Sequence, residues 1–132
     1  MHIRCNRLEF VTTHAPAART MLRHMDQGHL YADSARSLSE RIDILRQTPG
    51  VRVERIVSWG QCSPPGFWYD QDEDEWVALL SGSARLLLED PDEAVALAPG
   101  DWLWIAAHRR HRVEWTAPDI ASVWLAVFIE AQ

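Results

Sequence analysis

Four turn signals divide the second half of the chain into short apolar segments, and this spacing constrains the fold more than any other feature. Ser81-Gly82-Ser83, Asp90-Pro91-Asp92, Pro99-Gly100-Asp101 and Ala117-Pro118-Asp119 all combine residues that favour tight turns. The continuous apolar run 76–80 and the segment 84–88 directly after it read as a β-hairpin. Residues 94–97 read as another short strand, and Trp102, Trp104 and Ala106 alternate with Leu103 and Ile105. Segments 111–115 and 122–129 complete the set. Short strands with turns at such close intervals predict an all-β sandwich or barrel.

Upstream, Val51, Val53 and Val57 fall in phase opposite Arg52, Glu54 and Ser58, with Arg55 interrupting the apolar series. Residues 61–66 form a loop carrying Pro64-Pro65-Gly66. Before that, Ser37 followed by Glu40 has the form of a capping box, and Leu38, Ile42 and Leu45 recur on one helical face. Thr48-Pro49-Gly50 would stop such a helix. A short amphipathic helix near residues 38–47 is therefore predicted, lying as a flap on an apolar surface. Residues 1–24 hold four arginines and a single acidic residue, Glu9, whereas the chain after Met25 is acidic on balance. This predicts an appended segment over 1–24 and one barrel domain over 25–132. A targeting peptide is the alternative, but the segment lacks a clean apolar face.

A chain of 132 residues, 47% of them hydrophobic, fits a single packed domain. Its formal charge of -6 argues against a nucleic-acid surface. No apolar run approaches the roughly 20 residues of a membrane helix. Cys5 and Cys62 lie far apart without metal-type spacing, which predicts reduced thiols and a cytoplasmic setting. All seven tryptophans fall between Trp59 and Trp124, the region of the strands, as core or pocket wall.

Two partial motifs carry a family resemblance. Glu75, six residues and Gly82 resemble the second half of the first cupin motif, in which a metal-binding Glu precedes a glycine turn. Gly100 with His111 resembles the second motif, in which glycine, five residues, Pro-x-Gly and two residues precede a histidine. The segments 67–76 and 106–113 are similar to those of small single-domain bacterial cupins. The resemblance implies a cupin-type double-stranded β-helix, a jelly-roll barrel, here with the short N-terminal helix added. It says less about chemistry, because one fold hosts many functions.

The departures from the pattern bear on the site. Where the first motif has His-x-His, this chain has Tyr69 and Gln71, or Trp68 and Asp70 in the other alignment. In the second motif Ala106, His108 and Trp115 replace proline, glycine and asparagine. Glu75 and His111 are thus the two familiar metal ligands retained. Three readings stay open. A divalent ion (iron, manganese, nickel or zinc) would sit on Gln71, Glu75 and His111, completed by Tyr69, His108 or water. Alternatively, a metal-free pocket would bind an organic ligand through a His111–Glu75 pair, or the cluster is only a polar plug. The acidic run Asp70, Asp72, Glu73 and Asp74 reads mostly as a solvated face. Among the arginines flanking His111, Arg112 is the candidate for receiving an anionic substrate group.

The resemblance implies a metal-binding cupin acting on a small polar or anionic metabolite, by oxygenase, isomerase or lyase chemistry. The alternative is a non-catalytic ligand-binding or sensing cupin that has lost its metal. The expected partners are a small molecule and a second copy in a homodimer, with no nucleic acid, no membrane and no organic cofactor.

Overall fold

Strand phase decides everything about this barrel, and the middle of the chain shows how. The computed structural model describes residues 25–132 and the backbone of 11–14. In chain order the strands are β1 (Val11–His14), β2 (Arg41–Thr48), β3 (Val51–Ser58), β4 (Glu73–Ser81) and β5 (Ala84–Leu88). They continue with β6 (Glu93–Leu97), β7 (Trp102–Ile105), β8 (His111–Thr116) and β9 (Ser122–Glu130). One sheet has the order β1-β2-β3-β9-β4-β7 and the other β6-β5-β8. All pairings are antiparallel except that of β1 on the edge of β2, which is parallel. This is the expected all-β, cupin-type architecture of two facing sheets.

Register lines up the inward side chains in layers. Glu75 pairs with Ile105 and Phe128, and Phe128 pairs with Arg52. One layer deeper, Val77 pairs with Leu103 and Ala126, Ala126 with Glu54, and Glu54 with Ile44. The next layer joins Leu79, Trp124, Ile56 and Ile42. The core fills the space between the sheets with Val77, Leu79, Leu86, Ile105, Trp124 and Phe128. Each such side chain contributes about 1.5–3 kcal/mol when fully withdrawn from water.

Three sequence expectations are corrected here. The predicted helix near 38–47 is absent: β2 starts at Arg41, and no helix occurs among the described residues. Leu38 is 85% exposed and Leu45 42%, so the apolar stripe never meets a surface. Instead Ile42 and Ile44 turn into the barrel, paired with Ile56 and Glu54 of β3. Pairing along a whole neighbouring strand outweighs a weak local helix signal. The supposed capping box is dismantled accordingly. Ser37 Oγ accepts from the Ser39 amide, while the Glu40 carboxylate accepts from Ser58 Oγ inside the barrel.

The second correction concerns the run 76–80 and the segment 84–88. They do not form a hairpin, because β4 and β5 lie in different sheets. The chain crosses between sheets at Gly82, whose φ is 85°. A Cβ there would lie 2.5 Å from Ser122 Cα, so both backbone conformation and space require glycine.

The outer face of β3 is covered by the chain preceding β2. Arg55 is buried there, donating to Asp43 from Nε at 3.1 Å and to the carbonyls of Leu30 and Ala32. Trp59 Nε1 donates to the Ser34 carbonyl at 2.9 Å and Gln61 Nε2 to that of Ser37 at 3.0 Å. These bonds pin residues 30–37, a turn followed by irregular chain, as a strap. Cys62, expected as a reduced thiol, is disulfide-bonded, because sequence separation does not report distance in space. Its partner and most of the segment 1–24 lie outside the described residues. No described helix is long and apolar enough to cross a membrane.

Candidate functional site

Between the two sheets lies a cavity of about 330 Å³, with a mostly apolar wall that includes Ile42, Val77, Ile105, Trp124 and Phe128. On one side its polar groups come from the extended chain entering β4 and from the start of β8. Tyr69 and His111 exchange backbone hydrogen bonds at 2.7 and 3.1 Å, which fixes both rings at the wall. Their rings stack with centroids 5.4 Å apart and planes 25° apart. His111 Nε2 meets Glu75 Oε2 at 3.2 Å, and Gln71 Nε2 donates to the same oxygen at 3.1 Å.

The other imidazole nitrogen, Nδ1, faces the Arg109 carbonyl at 2.8 Å. Both nitrogens therefore face acceptors, and only the doubly protonated ring satisfies both. Burial alone would lower the pKa of His111. Its bonds to Glu75 and to the Arg109 carbonyl outweigh that and raise it. The imidazolium is thus the form this wall is built to hold.

The wall also carries Arg52 and Glu54 from β3 and Glu40 from just before β2. Arg52 Nε donates to Glu54 at 2.9 Å, and its two terminal nitrogens donate to Glu73 at 3.1 Å each. The guanidinium lies 4.3 Å from the Phe128 ring centroid. Glu40 is deeper, with Oε2 accepting from Ser58 Oγ at 2.7 Å, while Trp124 Nε1 donates to that hydroxyl oxygen at 3.2 Å. Burial pushes the Glu40 carboxyl up to about 7; the Ser58 hydrogen bond opposes the shift and the Glu54 charge adds to it. Burial also raises Glu54, against the pull of Arg52. The Tyr69 phenol is raised by burial and by the nearby carboxylates, with Glu40 first among them, so it stays neutral and able to donate.

Of the residues singled out in the sequence, Tyr69, Gln71, Glu75 and His111 come together in this cavity. His108 does not: it sits exposed in a turn at φ 63°, with Nδ1 2.9 Å from Asp70 and Nε2 3.4 Å from Asp72. Arg112 also lies outside, since the strand alternation that turns His111 and Val113 inward turns it outward. It donates to the Ser63 carbonyl at 2.9 Å, and its guanidinium is 5.8 Å from the Trp68 ring centroid. In the acidic run Asp72 is solvated, whereas Asp74 accepts from the Ala107 amide at 2.8 Å and Glu73 holds Arg52.

Sequence reasoning missed Glu40, Arg52 and Glu54. The signal for two of them was present in the alternation of β3. Arg52, Glu54, Ile56 and Ser58 share a phase, and that phase is the inward one, while the in-phase valines face the strap and the exterior.

No family model and no curated protein matches the chain. Among solved structures, a candidate mannose-6-phosphate isomerase of Ralstonia eutropha JMP134 is 45% identical, with 81% of this chain and 100% of that one covered at a TM-score of 0.79. A cupin superfamily protein of Desulfitobacterium hafniense DCB-2 superposes over 85% of this chain and 100% of its own, with 18% identity and a TM-score of 0.64. The chain belongs to the cupin superfamily. KdgF from Halomonas sp. shares the fold at 19% identity, covering 73% of this cupin and 84% of that chain at a TM-score of 0.59.

Cupin membership raises the question of a divalent ion, which the donor set answers. The 3.2 Å between His111 Nε2 and Glu75 Oε2 suits two adjacent ligands of one ion, since bonds of about 2.1 Å at right angles span about 3.0 Å. Nothing of comparable strength completes the set. Gln71 offers an amide whose nitrogen faces Glu75, and Tyr69 offers a neutral phenol. Among the described residues no group of three His, Cys, Asp or Glu side chains could hold a metal. Catalytic zinc sites take about three protein ligands, and this cupin supplies two strong ones. The residues present do not fit a resident divalent ion.

Proposed function

We propose that this cupin catalyses proton transfer on a small sugar-like metabolite, as an isomerase or lyase that needs no metal. The observation that supports it is the buried His111–Glu75 pair in the wall of an otherwise largely apolar cavity. Glu75 stabilises the charge on the imidazole, and the proton His111 gives is the one on Nε2. A carbonyl or hydroxyl oxygen entering beside Glu75 takes over as its acceptor and is polarised or protonated there, while Nδ1 stays on the Arg109 carbonyl. Glu40, held near 7, is poised as the base that takes a proton from the adjacent carbon. Tyr69, stacked on His111, supplies a further neutral donor. A cavity of about 330 Å³ is at the small end for ligand sites and fits a monosaccharide-sized molecule. The name of the Ralstonia neighbour points to the same class of chemistry. A cytoplasmic setting belongs to this reading and stands against the disulfide at Cys62.

The test is exchange of carbon-bound hydrogen in D2O, followed by NMR over a panel of aldoses, ketoses, lactones and their phosphates. The parent protein should exchange the hydrogen next to the carbonyl in at least one compound, equally with and without chelator. His111→Ala and Glu40→Gln should each abolish that exchange. Ligand binding without exchange would replace the enzyme with a binding or sensing cupin. Exchange that a chelator stops would bring the metal back.

A further inference from the structure

We propose that the cavity selects an uncharged polyhydroxylated molecule, such as a free sugar or its lactone, and rejects phosphorylated and carboxylated counterparts. This rests on the cavity being the ligand site, but not on the proton chemistry assigned to it. The wall carries three carboxyl groups, Glu40, Glu54 and Glu75, and a single arginine, Arg52. A site for a phosphate or carboxylate needs a guanidinium fork, an ammonium or converging backbone N–H groups turned toward the ligand. Arg52 is already committed, since each of its three nitrogens donates to Glu54 or Glu73. The remaining cation, the His111 imidazolium, is neutralised by Glu75 at 3.2 Å.

The arginines that the sequence places beside His111 do not change this balance. Arg112 lies outside the cavity against Trp68, and Arg110 pairs with Glu89 at 2.6 Å. An anion would therefore enter against uncompensated carboxylate charge, on a chain whose formal charge is already -6. Hydroxyl groups suit the same wall well. Carboxylates accept strong hydrogen bonds from O–H donors, and Trp124 and Phe128 present apolar surface to the C–H faces of a sugar ring.

The experiment is calorimetric or tryptophan-fluorescence titration of the full chain with matched sets: D-mannose, D-glucose and D-galactose, their lactones, uronates and 6-phosphates. At least one free sugar or lactone should bind, and its uronate and 6-phosphate should bind about tenfold more weakly or worse. In Glu54→Gln, which removes one carboxylate and one partner of Arg52, that gap should narrow by about threefold. The comparison within the parent protein stands even where the variant fails to fold. A 6-phosphate or uronate that binds more tightly than its parent sugar overturns the inference, and so does a panel in which no uncharged member binds. Selective binding of free sugars without hydrogen exchange would keep this inference and remove the acid–base function. Exchange confined to phosphorylated sugars would do the reverse.

Discussion

His108 and His111 lie three residues apart and meet carboxylates from the same stretch of chain, yet they occupy opposite environments. The His108 side chain is 65% exposed between Asp70 and Asp72, whereas that of His111 is 6% exposed against Glu75. The partition follows a period of two. Tyr69, Gln71 and Glu75 face the cavity, while Asp70 and Asp72 face water. Residue type alone would make both clusters candidate sites. What separates them is the phase of an extended chain, which gives one histidine a low-dielectric wall and leaves the other in solvent, where ion pairs are screened and weak.

The largest effect that would sharpen this contrast is expected at Glu40, in the same cavity. Its carboxyl stands at about 7 in the fold against an ordinary 4.5. The folded chain therefore binds this proton more tightly than the unfolded one. Its contribution to stability is complete below the ordinary carboxylate range and is lost as pH rises through about 7. The loss is on the order of 3 kcal/mol. Denaturant melts of Glu40→Gln should match the parent at acid pH and exceed it by that amount in mild alkali. A parent whose stability does not decline between these conditions relative to the variant would show that Glu40 is solvated.

Next in size is Glu75→Ala, which leaves the His111 imidazole without its buried partner and should cost about 1–3 kcal/mol near pH 6. Because the His111 pKa is raised, the pair stabilises the fold fully below the ordinary histidine range. That contribution is lost as pH rises through the folded value. The deficit of the variant should accordingly shrink toward alkaline pH. A deficit independent of pH would mean that packing, not the ion pair, is what the substitution removes.

The smallest effect is expected at the exposed cluster. His108→Ala should change neither melting temperature nor sugar binding measurably, although the hydrogen bond that the ring donates to Asp70 raises its pKa. Loss of binding in this variant would break the comparison, because it would make the surface cluster part of the site.

Much of this was legible in the sequence because strand formation and turns are local. The turn residues at 81–83, 90–92, 99–101 and 117–119 mark real strand boundaries, and Glu75, Gly82, Gly100 and His111 carry the cupin pattern. The cavity position of Tyr69, Gln71, Glu75 and His111 was likewise within reach, since their spacing is that of an extended chain. Only the tertiary structure decided which face of β3 is inside. The valines look like the core face, but the strap over residues 30–37 gives that face a cover of its own, so Arg52 and Glu54 turn inward. The same holds for Glu40, whose helix-capping partner in the sequence is replaced by Ser58 from a neighbouring strand. A one-dimensional pattern reports the period of a segment. The sign of that period, inward or outward, depends on which surfaces the rest of the chain brings to each face.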